Sequence, residues 1–253
     1  MLSISEIKTN YIEIAKNKVN DSLVNNILLS ILSGIFIAFA GVGYTFATSF
    51  ANKFVGACVF PAGIIMVVLC GAKLFTGDCM LTFPLLKKEI PLSKTALTML
   101  IIYLGNFIGS IIIAIMMVYS GSLDSIKEMV INIASTKSQL PFYQSFLKGI
   151  LCNVLVCVAI WMSFSTHSVT GKIIAMFFPI LVFVLAGFEH SIANMYFLPA
   201  GIFTSLKYNI GNLDIMLNGL YLNLIPVTIG NVVGGSLVAI IFLFIKDKKN
   251  NGI

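Results

Sequence analysis

The sequence predicts an all-α polytopic membrane protein: six transmembrane helices forming two inverted three-helix repeats, with the second and fifth spans broken. Three observations carry this reading. Hydrophobic residues make up 58% of the chain and charged residues 10%, whereas soluble domains carry about 25% charged residues. Apolar segments long enough to cross a bilayer, roughly 17 to 25 residues or more, recur from end to end. The two halves of the chain also echo one another.

The first element is the polar segment 1–22, where Ile4, Ile7, Tyr11 and Ile14 are spaced as one helical face beside Lys8, Lys16 and Lys18. An amphipathic helix of this kind lies along a membrane surface or closes over a pore mouth. It is a poor signal peptide, because the apolar run after it is too long for a cleavable core. The spans are Leu23 to Phe50, Phe54 to Leu86 (interrupted), Thr95 to Tyr119, Phe142 to Phe164, Ile173 to Leu206 (interrupted) and Leu220 to Ile245. They form a single transmembrane domain, 23–246, with repeats at about 23–120 and 142–246, and a tail at 247–253.

An even number of spans places both termini on one side. Loops on that side hold Lys8, Lys16, Lys18, Lys87, Lys88, Lys94, Lys172, Lys246, Lys248 and Lys249, against Lys53, Lys127, Lys137, Lys148 and Lys207 opposite. The positive-inside rule makes both termini and the tail cytoplasmic, in a cell membrane. The same rule accounts for the net charge of +6 with no nucleic-acid partner. Arginine is absent, so the bidentate reader of phosphates and guanine edges is missing. The five cysteines, Cys58, Cys70, Cys79, Cys152 and Cys157, lie in apolar segments without a C-x-x-C pair. They read as small buried hydrophobes, with no metal or cofactor site.

Internal symmetry is strongest in the interrupted spans. Leu69-Cys-Gly71-Ala-Lys73-Leu-Phe-Thr76-Gly-Asp78 matches Leu185-Ala-Gly187-Phe-Glu189-His190-Ser-Ile-Ala-Asn194, each preceded by Phe-Pro at Phe60-Pro61 and Phe178-Pro179. Spans three and six share Gly105-Asn106-Phe-Ile-Gly109 and Gly230-Asn231-Val-Val-Gly234, a pattern of close helix packing that supports the repeat rather than a site. Repeats with an odd number of spans are inverted relative to one another.

A continuous helix from Ile173 to Leu206 would be about 51 Å long at 1.5 Å per residue, against a hydrocarbon core of about 30 Å. It must tilt strongly, protrude or break. Polar residues gather at Lys73 to Asp78 and at Glu189 to Asn194, where breaks are expected. Unwound backbone at membrane depth survives only when buried in protein or lining a cavity, and paired broken helices are the usual form of a substrate pathway. Glu189 and His190, an ionisable pair in an otherwise uncharged apolar run, mark a functional site on the same grounds.

The stretch Gly187-Phe-Glu-His-Ser-Ile-Ala-Asn-Met195, the Leu74-Phe75-Thr76 break, Asn153 with Val156-Cys157 and Trp161-Met162-Ser163, and Asn223-Leu-Ile-Pro-Val-Thr-Ile-Gly-Asn231 resemble the formate/nitrite transporter family over almost the whole chain. Within it the chain looks nearest the hydrosulfide channel branch. The resemblance implies a homopentamer in the lipid bilayer, with one aquaporin-like pore per subunit carrying small anions. It implies His190 as the central histidine, Thr76 as the broken-helix threonine, and Lys18 and Lys137 as vestibule lysines. It also implies Asn153 and Glu189 as polar neighbours of the histidine, and Phe60, Ile64, Leu74, Phe75 and Phe183 as constriction residues. Lys73 and Asp78 bracket the break, where the family also has acidic or neutral residues; Lys73 faces the pore or pairs with another group, Asp78 being one candidate.

A small anion faces a desolvation cost of tens of kcal/mol in an apolar constriction. Lysines at the mouths raise the local anion concentration, and half-helix N-termini add N–H donors and a positive dipole, but neither removes that barrier. Protonation does, by making a weak acid neutral. Histidine titrates nearest physiological pH, so His190 is expected to donate or orient a proton, with Thr76 as counterpart and Glu189 as its structural partner. The expected cargo is a small monovalent weak-acid anion, hydrosulfide first, with formate or nitrite as alternatives, through a channel or a proton-coupled symporter.

Other classes fit less well. An aquaporin-like neutral solute channel needs paired Asn-Pro-Ala motifs and usually a selectivity arginine, and both are absent. An intramembrane enzyme needs a catalytic set, and the chain has no H-E-x-x-H or G-x-S-x-G. Glu189, His190 and Ser191 are consecutive, so a helix points them in different directions.

Overall fold

The computed structural model describes residues 2–245; the tail expected at 247–253, with Lys246, Lys248 and Lys249, lies outside them. Every regular element among the described residues is helical.

The polar N-terminal segment folds as α1, Ile4–Asn20. Ser3 and Glu6 close a capping box: the Glu6 N–H donates to Ser3 Oγ at 3.2 Å and the Ser3 N–H to Glu6 Oε2 at 2.7 Å. Ile7, Tyr11, Ala15 and Val19 form its buried stripe, one residue per helical turn. The helix lies against the body rather than apart from it: Ala15 and Val19 pack on Leu81 and Ile90, and the Leu2 N–H donates to the Ser165 carbonyl at 3.0 Å.

Two helix pairs form the frame. Helix α2 (Leu23–Phe50) packs on α7 (Leu92–Tyr119), and α9 (Phe142–Ser163) packs on α13 (Leu224–Phe244). Both contacts are backbone-close at glycine. A Cβ on Gly109 would lie 2.1 Å from the Ile31 carbonyl oxygen, and one on Gly230 would lie 2.2 Å from that of Phe146. The Gly-x-x-x-Gly patterns are packing faces, as the sequence suggested. On the outside, Leu97, Leu100, Leu104, Ile108, Ile112 and Ile115 of α7 form an exposed apolar stripe.

The interrupted segments fill the space between the pairs. One runs through α3 (Lys53–Val59), α4 (Ala62–Leu69), α5 (Phe75–Asp78) and α6 (Thr82–Leu86). The other is α10 (Val169–Ala186) followed by α11 (Ser191–Tyr208). The matched prolines act differently: Pro61 divides α3 from α4, while Pro179 stays inside a continuous α10.

Three sequence expectations are corrected. The breaks fall at 70–74 and 187–190, beginning two to three residues before the polar clusters and overlapping their first residues, because a left-handed glycine ends each upstream helix. The segment between the third and fourth spans, for which the sequence predicts no element, holds the helix α8, Lys127–Ser138. The last span starts earlier, with α12 (Leu213–Leu222) leading into α13 across Asn223. Among the described residues, five stretches are helical, long and apolar enough to cross a membrane: α2, α7, α9, α10 and α12 with α13. Helix α11 is almost wholly buried.

Candidate functional site

The two breaks are built alike. Gly71 and Gly187 adopt φ of 67° and 71°, which a residue without Cβ takes without strain. The N–H groups of Gly71 and Ala72 return to Val68 and Val67 (3.3 and 2.9 Å), as those of Gly187 and Phe188 return to Val184 and Phe183 (3.1 and 3.0 Å). Each upstream helix thus ends in a Schellman motif. Leu74 and His190 then stand extended as N-caps of α5 and α11, at φ −112°, ψ 119° and φ −109°, ψ 114°.

Asparagines from α7 and α13 hold the two downstream starts. Asn106 Oδ1 accepts the Phe75 N–H at 3.0 Å, and Asn231 Oδ1 accepts the Ser191 N–H at 2.9 Å. The matched Gly-Asn motifs therefore build the site as well as the repeat.

These starts meet side chain to side chain. His190 Nε2 lies 2.8 Å from Thr76 Oγ1, and both residues are buried. The Ala193 N–H donates to His190 Nδ1 at 3.1 Å. A ring whose Nδ1 accepts carries its proton on Nε2, so the imidazole donates to the threonine oxygen. Phe183 stacks on the ring at 5.9 Å and meets Phe60 edge-on at 5.9 Å. Behind Thr76, its carbonyl accepts from Asn153 Nδ2 at 3.0 Å, so Asn153 supports the threonine backbone rather than touching the histidine.

A recess opens on each side of this contact. The first has Phe60, Lys137, Phe183, Glu189, His190 and Asn194 in its wall. The second has Tyr11, Lys18, Leu74, Asp78 and Phe164 in its wall. Helix α9 gives the order: its Lys148 carbonyl accepts the Glu189 N–H, Asn153 reaches Thr76, and Ile160 and Ser163 line the second recess. From Lys148 to Ile160 is about 18 Å along a helix. Thr76 lines neither recess and lies between them.

Each recess carries one lysine paired to a buried acid. Lys137 Nζ bridges both Glu189 oxygens at 2.9 and 3.0 Å, and Lys18 pairs with Asp78. Neither lysine is a free charge at a mouth, so its pull on an anion is weaker than its formal charge suggests. Of the two alternatives open for Lys73, the structure shows pairing, with Asp21 and not with Asp78. The lysine is buried, bonding Asp21 at 2.6 Å and Asn26 at 2.7 Å, and lies in the wall of neither recess. At the surface end of α2, Asp21 is held down to about 2 by the Lys73 ammonium and the Asn25 amide.

Of the expected constriction residues, Phe60 and Phe183 face the first recess and Leu74 the second. Phe75 packs edge-on against Tyr103 at 4.8 Å, and Ile64 is buried; neither is in a recess wall. Cys79, Cys152 and Cys157 are buried as expected, but Cys70, at the end of α4, is exposed and Cys58 is partly so. Among the described residues no three metal-ligating side chains cluster.

The family model of the formate/nitrite transporters matches residues 5–245. The chain belongs to the formate/nitrite transporter family. The formate channel FocA of Haemophilus influenzae is 34% identical over 92% of this chain and 91% of its own. That of Escherichia coli is 36% identical over 83% and 82%. The solved structure of a pentameric formate channel with formate bound superimposes with TM-score 0.75 at 31% identity, over 87% of this chain and 95% of that one. This formate/nitrite transporter family member is a multi-pass membrane protein of a transport family, not an enzyme family, and its all-helical fold is that of the family's solved channels.

The sequence motifs of this family member contain its asparagines, but their bonding to the breaks is visible only in the structure. Asn106, Asn194, Asn223 and Asn231 are fully buried, and an uncharged amide in an apolar span draws less notice than a charge. Their signal was burial by context: each lies in a run of apolar residues.

Proposed function

We propose that this protein is a channel for small monovalent weak-acid anions, with formate the first candidate, and that the anion crosses its apolar barrier in protonated form. The observation that carries the reading is the 2.8 Å contact between His190 Nε2 and Thr76 Oγ1, at the meeting of two half-helix N-termini between two recesses. Helix N-termini favour an arriving negative charge. The rings of Phe60 and Phe183 beside the histidine do not, so a bare ion stalls there. A neutral acid passes, and His190 is the group that orients the proton through its Nε2–H, or donates one after itself taking a proton from solvent as the imidazolium, with Thr76 as its counterpart. Lys137, Lys18, Glu189 and Asn153 act as entry and support groups. Phe60, Ile64, Leu74, Phe75 and Phe183 act as the apolar barrier.

Formate is placed first because the matched relatives and the solved neighbour are named formate channels; the same names favour a channel over a symporter. Hydrosulfide rests on the family resemblance of the sequence alone. By analogy with the pentameric neighbour, five copies assemble with a pore in each. The lysine distribution supports a cytoplasmic position for both termini and for the face that bears α1 and Lys18. The equivalent breaks support an inverted repeat across the membrane.

The test is uptake of formate, nitrite, hydrosulfide, acetate and chloride into liposomes containing the purified protein, across a pH series. Weak-acid uptake is expected to rise as pH falls and to exceed chloride uptake. Chloride passing as fast as the weak acids at every pH would defeat the protonation route. His190→Ala and Thr76→Val are expected to change weak-acid flux or its pH profile while the oligomer survives. Unchanged profiles in both would assign the pair to packing.

A further inference from the structure

We propose that Asn194 is a specificity-determining residue whose Oδ1 accepts a hydrogen from the permeating acid, so that the first recess selects the protonated form. Three observations converge on it. Along α11 and its cap, His190, Ala193, Asn194 and Phe197 line the recess; their spacing is one face of a helix, which puts the Asn194 side chain beside the histidine. The direction of its amide is fixed: Nδ2 donates to Glu189 Oε2 at 2.7 Å and to Asn223 Oδ1 at 2.7 Å. The second acceptor is itself fixed, because Asn223 Nδ2 donates to the Lys137 carbonyl at 3.0 Å. Oδ1 is therefore the oxygen, and it is buried with no hydrogen-bond partner among the described residues.

A buried acceptor without a donor is costly, and a formate, nitrite or chloride ion, which has no O–H or S–H to offer, makes it worse. A protonated weak acid supplies the missing hydrogen. Formic acid, nitrous acid and hydrogen sulfide each have one to give, and chloride at neutral pH has none. The lattice that holds Asn194, with Glu189 bound to Lys137, keeps the acceptor pointing one way. The selection needs no proton transfer at Asn194, only a hydrogen bond made and broken as the acid passes.

The inference rests on the weak-acid channel reading, and the wild-type flux series tests that reading separately. For Asn194 itself, Asn194→Leu and Asn194→Asp pentamers are compared with wild type in liposomes for formate and chloride flux. In Asn194→Leu, formate flux is expected to fall about tenfold, the loss of roughly one hydrogen bond, while chloride flux holds or rises. Asn194→Asp keeps one acceptor oxygen when its carboxyl is protonated and donating to Glu189. Its formate flux, taken as a fraction of the wild-type flux at the same pH, is expected to recover as pH is lowered. Formate flux unchanged in Asn194→Leu, or formate and chloride falling together, would overturn the assignment. So would an assembled Asn194→Asp pentamer that stays inactive at every pH.

Discussion

Asn106 and Asn231, more than a hundred residues apart in sequence, make the same hydrogen bonds at the two helix breaks. Besides capping α5 and α11, each donates Nδ2 to the carbonyl two residues before the amide it accepts, at Lys73 (2.9 Å) and Glu189 (3.0 Å). Each also donates across to the neighbouring long helix, at Ser30 and at Gly149, both at 2.8 Å. One side chain thus ties a broken backbone to its frame.

Removing either amide leaves an N–H and two carbonyls without that partner in an apolar interior. Asn106→Leu and Asn231→Leu are each expected to cost about 2–4 kcal/mol and to impair flux. Asn106→Asp and Asn231→Asp, which set a buried carboxylate against the two carbonyls that the amide bonded, are expected to cost at least as much as leucine at neutral pH. Thermal unfolding in detergent and liposome uptake measure both effects; leucine variants as stable as wild type would mean that the frame alone holds the breaks.

The helix pairs make a second, independent prediction. Gly109→Ala and Gly230→Ala put a methyl about 2 Å from a carbonyl oxygen of the facing helix, so the backbones must separate. A loss of about 1–3 kcal/mol is expected. At Gly77 the nearest atom to an added Cβ is Ile160 Cγ1 at 3.5 Å, ordinary contact, so Gly77→Ala is expected to unfold at nearly the wild-type temperature. Equal effects at all three positions would contradict the packing argument.

The membrane class, the long spans and the interrupted segments were legible because they depend on hydrophobic run length, which a sequence displays directly. His190, Thr76 and Glu189 were legible because polar or ionisable groups are conspicuous in apolar runs. The position of the breaks was less so. The polar clusters drew attention to Lys73 and Glu189, whereas Gly71 and Gly187 end the upstream helices and the clusters cap the downstream ones. Helix α8 was missed because its mixed composition reads as loop until α11 covers its buried face. The partner of Lys73 was also out of reach: Asp21 is distant in sequence, and only the packing of α2 against the first break joins them.

That pair predicts a pH response. The Asp21 carboxyl, ordinarily near 3.8, is lowered to about 2, chiefly by its hydrogen bond to Lys73. A depressed carboxylate contributes stability that is fully present above its unfolded value and lost as pH falls through its folded one. Acid destabilisation from this source is therefore expected between about pH 4 and pH 2. Asp21→Asn is expected to lower stability at neutral pH by about 1–2 kcal/mol, discounted for solvent screening of a carboxylate that is 25% exposed, and to flatten the acid limb. Thermal unfolding of both proteins at pH 6 and pH 3 distinguishes this from a passive surface aspartate, whose substitution would leave the two acid limbs parallel.

Lys137 and Glu189 yield the most discriminating test, because stability and flux should separate. Removing one partner of a buried ion pair strands the other, at about 3–5 kcal/mol, while replacing both together costs far less. Glu189→Gln and Lys137→Met are each expected to destabilise strongly, and the double variant to recover much of the loss, giving a positive coupling in a double-mutant cycle. Flux is not expected to recover with it. Glu189 also accepts from Asn194 Nδ2, and its backbone is held by Asn231, so a glutamine there loosens the residues beside His190 even when no charge is stranded. A double variant restored in both stability and transport would reduce the pair to scaffolding. One restored in stability alone would place it in the working wall of the recess.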